Sequence, residues 1–149
     1  MTDHKGGSAG RLDWASFAAD MGYSPEQLEM FCSHPNNVFV AENAARLDDW
    51  VIVAEVIESH GCAAGHGVGA RLYFSPHGVL LTERAPARVC LHAFPALASA
   101  VAVIQERIIS GLDPSPNLFK RVGCMDVGVG CGGWGHIAFD LYAEPVDAD

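Results

Sequence analysis

The 149-residue chain lacks any apolar run of the ~18–20 residues that a membrane-spanning helix needs. Met1–Gly10 contains no basic segment followed by an apolar core, so we expect no signal peptide and a cytoplasmic location. Basic residues are also scarce, with 9 Lys and Arg against 18 Asp and Glu and a net charge of −9. Because phosphates and anionic membranes attract cationic surfaces, we expect neither nucleic acid nor a membrane as a partner.

Several motifs of known chemistry are missing as well. Without C-x-x-C, a zinc ribbon and thioredoxin-type redox chemistry lose support, and without C-x-x-C-H so does covalent haem attachment. H-E-x-x-H and the P-loop are also absent from the sequence. The 5 cysteines are an odd number and follow no export signal, so we expect thiols rather than a disulfide framework.

The composition is that of a folded domain. Half of the chain (50%) is hydrophobic and only 18% is charged, which excludes disorder for most of its length. Changes in composition predict four parts: a Gly-rich, disordered N-terminus (1–11), a helical prefix (12–49), an α+β core domain (50–145) and an acidic tail (146–149).

The prefix shows three helix patterns. An apolar stripe from Leu12 to Met21 predicts the first, and the capping box Ser24-Pro25-Glu26-Gln27 predicts the start of the second. A third is expected over Val38–Leu47, and Cys32 is expected in the core. Because the prefix is rich in apolar residues, we expect it to pack on the sheet or across a homodimer.

The core domain carries one long helical pattern among strand patterns. The strand segments are Trp50–Ile57, a hairpin of Ala70–Phe74 and Val79–Thr82, then Leu118–Val122 and His136–Ala143. The helix is expected over Ala93–Ile109. The predicted fold class is therefore α+β: a small, mainly antiparallel sheet with one long packed helix, preceded by an N-terminal helical segment.

Two glycine-rich segments interrupt this pattern. The first glycine loop is His60–Gly69 and contains C-x-x-G-H-x-x-G, with Cys62 and His66; the second is Val127–Gly135. Further Cys, His and Asp residues lie where other elements begin or end, namely Cys90, His92, Cys124, Asp126, Cys131 and His136. Loops at the ends of rigid elements are where sites are commonly built.

Thiolate and imidazole are ligands for zinc or iron, so we hypothesise a metal site of Cys62, His66, Cys90 and Cys124. The chain is then a small metal-binding protein and an enzyme acting on a small organic molecule, with Asp126 and His92 in proton transfer. One alternative is a metal-free thiol enzyme in which His66 activates Cys62. Another is a non-catalytic accessory subunit that docks on a partner enzyme and whose cysteines only pack or bind a stabilising ion.

Residues Val51 to Glu144 resemble a family of short, mostly uncharacterised bacterial and archaeal proteins. The shared motifs are C-x-x-G-H-x-x-G, a Cys-containing segment before a helix, and C-x-D, matched here by Cys62–Gly69, Cys90 and Cys124-Met125-Asp126. Ala70 departs from the pattern, since the family commonly carries an acidic residue there. The resemblance implies that Cys62, His66, Cys90, Cys124 and Asp126 form one site, and it supplies no reaction.

Overall fold

The computed structural model describes residues 12–146, so the predicted disordered N-terminus and most of the acidic tail lie outside it. Within this range the chain divides into two compact units, residues 12–46 and 47–146. The sequence instead placed the first residue of the core at Trp50. Leu47, in the 3-10 segment Ala44–Asp49 that precedes the first strand, is buried, and it is counted with the second unit.

The first unit consists of α1 (Trp14–Met21), α2 (Pro25–Cys32) and α3 (Pro35–Asn43). The predicted capping box is present: Ser24 Oγ accepts from the Gln27 N–H, and Gln27 Oε1 accepts from the Ser24 N–H. The rings of Phe17 and Phe31 lie 5.2 Å apart between centroids, and Trp14 and Tyr23 contact both. This cluster joins α1 to α2, yet no residue of α1, α2 or α3 is buried.

The second unit, within the described range, contains one antiparallel sheet in the order β2-β1-β4-β3. Its strands are β1 (Trp50–His60), β2 (Arg71–Phe74), β3 (Arg121–Gly123) and β4 (His136–Pro145). The long central pair of β1 and β4 runs in register from Trp50 opposite Pro145 to His60 opposite His136, with one shift between Val56 and Glu58. Alternation along β4 buries Ile137, Phe139, Leu141 and Ala143 on one face.

The long helix α4 (Phe94–Ile109) covers that face and follows a 3-10 turn, Leu91–Ala93. Leu97 and Ile104, one above the other on its inner side, are both 0% exposed. The predicted α+β class, with its N-terminal helical segment and one long packed helix, is therefore confirmed. No helix among residues 12–146 combines the length and the apolar character needed to cross a membrane.

Three local predictions were wrong. The third helix begins at Pro35, not Val38, because proline suits the first helical position. Beyond β2 the expected hairpin is reduced to a single bridge between Phe74 and Leu80, and Thr82 already begins a 3-10 turn. Cys32, expected in the core, is exposed at the end of α2.

Candidate functional site

Both glycine loops lie at one end of the sheet. The first begins at the end of β1 and the second ends where β4 starts, and His60 and His136 face each other across these strands. The two loops touch through glycine backbones: a Cβ on Gly135 would lie 2.8 Å from the carbonyl carbon of Gly61. Gly135 therefore has no room for a side chain, and a Cβ on Gly61, which has a φ of 60°, would lie 3.0 Å from the Trp134 carbonyl oxygen.

The segment before α4 reaches the same end of the sheet. The N–H of Met125 donates to the carbonyl oxygen of His92 at 3.0 Å, which ties the 3-10 turn Leu91–Ala93 to the chain that leaves β3. All three segments that carry the candidate cysteines thus meet at one end of the fold. The structure brings the segments together, whereas the roles of their side chains stay predictions.

His66 is the one polar or charged residue that is buried among residues 12–146, with 6% exposure. Its carbonyl oxygen accepts a 2.6 Å hydrogen bond from Ser59 Oγ, which holds the loop against β1. Its Nε2 atom is buried and has no hydrogen-bond partner in the described part of the chain. An unpartnered buried polar atom costs about 1–3 kcal/mol, so the fold retains this nitrogen at an expense in stability.

The candidate cysteines are half-buried. Cys62 follows β1 closely, and its carbonyl oxygen accepts from the Gly65 N–H at 2.9 Å to close the turn. Cys90 immediately precedes the 3-10 turn before α4. Cys124 continues the β3 ladder, since its N–H donates to the Ile137 carbonyl at 3.0 Å. The thiol of Cys124 donates to the carbonyl oxygen of Asp126 at 3.7 Å.

Ser59, which holds the His66 backbone, lies on the same face of the sheet as Cys124. Ser59 and Ile137 are register partners in adjacent antiparallel strands, so their side chains project to one face, the face that α4 covers. Cys124 continues the same row beyond β3, beside Ile137. Sequence reasoning did not identify Ser59, because a serine near a strand end carries no motif.

Asp126 organises the second glycine loop. Its carboxylate accepts from the N–H groups of Gly128 at 3.0 Å, Trp134 at 3.0 Å and Gly135 at 2.9 Å. The N–H groups of Gly128 and Gly135, with that of Trp134, hold the pKa of this carboxyl below its usual value of 3.8. Asp126 therefore acts as a fixed anion that closes the loop, which is a different arrangement from a carboxyl free to shuttle protons.

His92 is exposed and shares an open groove of about 370 Å³ with Asp126. Met125 and Trp134 also line this groove. The Trp134 side chain is 90% exposed, so it projects from the second glycine loop into solvent. Sequence reasoning gave Trp134 no role, although an aromatic residue in a loop with five glycines has little prospect of core packing.

Cys131 and His136 are the remaining candidates from the sequence. Cys131 is exposed in the second glycine loop, within the 3-10 turn Val129–Cys131. His136 is half-buried, and its Nδ1 lies 3.1 Å from the carbonyl oxygen of Asp126. All five cysteines are free, in agreement with the expectation of thiols.

Within residues 12–146, no group of three or more His, Cys, Asp or Glu side chains is arranged to hold a metal ion. The donor types nevertheless suit zinc or iron, and the unpartnered Nε2 of His66 is the kind of atom that a metal ligand provides. The four candidate ligands thus have suitable donor atoms and lie on segments that meet at one end of the fold. Their assembly around an ion stays a prediction.

The motifs that carry the family resemblance occupy the three segments that meet at this end of the sheet. Such convergence is what a shared site requires. No family model, curated protein or solved structure matches the chain. Membership of the family that the motifs resemble therefore stays a prediction.

Proposed function

We propose that the chain is a small, cytoplasmic metal-binding protein that acts as an enzyme on a small organic molecule. Cys62, His66, Cys90 and Cys124 would hold zinc or iron at the loop end of the sheet. The observation that carries the proposal is the buried Nε2 of His66, which has no hydrogen-bond partner among the described residues. A metal ion would use the lone pair of this atom and remove the cost of leaving it unpaired.

The local structure supports the loop as a ligand platform. Ser59 anchors the His66 backbone at 2.6 Å, so the imidazole is held on a strand rather than on a free loop. Cys90 precedes α4 and Cys124 follows β3, and the Met125–His92 hydrogen bond joins these two segments. The three half-buried thiols are the remaining candidate ligands of this set.

With zinc, four such ligands would close the coordination shell and the ion would be structural; with one position left open it would supply Lewis acidity or a bound water of lowered pKa. The residues of this chain would position the substrate and move protons next to it. His92, exposed in the adjoining groove, is the candidate proton-transfer group. Asp126, whose carboxylate is held by three backbone N–H groups, would fix the groove wall rather than donate a proton.

The test is metal analysis of protein purified without oxygen. We expect about one equivalent of zinc or iron, and a cobalt-loaded sample should show thiolate-to-cobalt absorption. The double variant Cys62→Ala/His66→Ala should lose the metal. The matched control Cys32→Ala/His77→Ala changes the same two residue types at exposed positions and should retain it.

Two results would count against the metal site. One is wild-type protein without stoichiometric metal that also fails to bind added zinc or cobalt. The other is equal loss of metal in both double variants. Metal-free protein in which Cys62 is alkylated stoichiometrically at neutral pH would favour the thiol enzyme instead. Circular dichroism of each variant separates loss of ligands from loss of fold.

A further inference from the structure

A second cleft opens on the opposite face of the sheet from α4. It encloses about 510 Å³, within the usual range for small-molecule sites, and its lining includes Glu58, His60, His136, Val129 and Trp134. His60 and His136 are register partners and Glu58 lies opposite Ala138, so all three project away from the face that holds Ser59 and Ile137. None of the four candidate metal ligands lines this cleft, although the Asp126 carbonyl oxygen that His136 contacts also accepts from the Cys124 thiol.

His136 is held in one tautomer. Its Nδ1 lies 3.1 Å from the carbonyl oxygen of Asp126, and a carbonyl oxygen only accepts hydrogen bonds. The Nδ1 atom of the neutral ring must therefore carry the proton, which leaves Nε2 as an acceptor. Gly123 leaves room for this ring, because a Cβ there would lie 3.0 Å from Cε1 of His136.

The backbone that carries the aromatic wall of the cleft is held in place. Trp134 is 90% exposed, yet its backbone N–H donates to Asp126 at 3.0 Å, and the neighbouring N–H of Gly135 donates to the same carboxylate. The indole offers a flat apolar surface, and only its two side-chain torsions are left to be ordered on binding. Val129, which is 79% exposed, adds apolar surface beside it.

Charge limits the kind of ligand that suits the cleft. The chain carries a net charge of −9, and Glu58 lies at the cleft beside His60, with 3.3 Å between their side chains. Anionic ligands are therefore disfavoured. A flat ring matches Trp134, and a hydrogen-bond donor matches Nε2 of His136. We propose that this cleft binds a neutral hydroxy-aromatic molecule, with its ring on Trp134 and its hydroxyl donating to Nε2 of His136.

The test compares 4-methylphenol with 4-methylanisole, its methyl ether, by NMR titration of the full chain. The two probes share the ring and the oxygen, but only the phenol has a donor. We expect the phenol to bind about fivefold more tightly, since one hydrogen bond is worth about 0.5–1.5 kcal/mol. The phenol should shift the Trp134 indole and His136 ring signals, and 4-methylbenzoate should not bind.

Two variants separate the two contacts. Trp134→Ala should weaken both probes by a similar factor, whereas His136→Phe should abolish the preference for the phenol. His136→Gln retains an acceptor and should restore part of that preference. The control His77→Phe changes an exposed histidine paired with Asp48 and should leave both affinities unchanged.

Wild-type protein that binds the two probes equally, or neither of them, would overturn the proposal. If His136→Phe fails to fold, the NMR signal of His136 Nε2 in wild-type protein still tests the proposed hydrogen bond. It should move with the phenol and remain still with the ether. The titration is run on metal-free and on metal-loaded protein, and failure in both leaves the proposed metal function standing.

Discussion

The carboxylate of Asp126 occupies a position that a neutral side chain would fill poorly. It accepts hydrogen bonds from three backbone N–H groups of a loop whose glycines have no side chains that could accept these bonds. Because these N–H groups favour the ionised form, the pKa is lowered. A group with a lowered folded-state pKa contributes stability above its unfolded pKa and loses it as the pH falls through the folded value.

Asp126→Asn should therefore make the melting temperature depend less on pH in acid. In wild-type protein we expect the melting temperature to fall as the pH drops below the ordinary carboxyl value of 3.8, with part of that fall due to this residue. The variant should melt lower at pH 7 and show a shallower decline in acid. The exposed Asp20→Asn serves as the control, and identical pH profiles for Asp126→Asn and wild type would show that the loop does not depend on this charge.

Tyr142 gives the opposite case, on the face of the sheet opposite α4. Burial, with a 2.9 Å hydrogen bond to Glu55, raises the pKa of Tyr142 to about 12. Its stabilising effect is complete below the unfolded value near 10 and is lost as the pH rises through about 12. An absorbance titration should show one late tyrosine that Tyr142→Phe removes. A titration curve unchanged in shape by this substitution would contradict the assignment.

Among the elements, α4 carries much of the core. Leu97→Ala and Ile104→Ala should each lower the free energy of unfolding by about 2–5 kcal/mol, because both side chains are fully buried beneath the sheet. Val103→Ala, at a position 42% exposed, should cost about 0.5 kcal/mol or less. Chemical denaturation measures all three, and equal effects at buried and exposed positions would remove α4 from the core.

The helices and most strands were predictable because their signals are local. Ser24 and Gln27 lie three residues apart and form the capping box that their spacing predicts, and the apolar period of α4 is visible in the sequence. The second hairpin strand was predicted wrongly. It pairs with Phe74 through a single bridge, and Pro86, which has no N–H to donate, follows shortly after. The meeting of the glycine loops depends on β1 pairing with β4, a long-range choice that no local pattern records.

At the scale of the whole molecule, every buried hydrophobic residue among residues 12–146 lies between Leu47 and Ala143. The buried hydrophobic core of the described residues therefore belongs to the second unit. We expect a chain of residues 47–149 to unfold cooperatively, whereas a peptide of residues 12–46 should show little helix in isolation. Far-ultraviolet circular dichroism and thermal melting check both, and a molten or aggregated 47–149 chain would show that the prefix is needed.

The shift in register between Val56 and Glu58 has a consequence for how the sequence can change. Strict alternation from Val56 would direct Ser59 away from α4 and His60 toward it; the extra residue, Ile57, reverses that assignment. Deleting Ile57 would therefore remove the bulge and leave Ser59 and His60 on their present faces. One inserted residue that pairs regularly would have the opposite effect, exposing the anchor of His66 and burying a residue of the second cleft. Substitutions can accumulate along β1 one at a time, but a regularly paired insertion at this point alters both sites together.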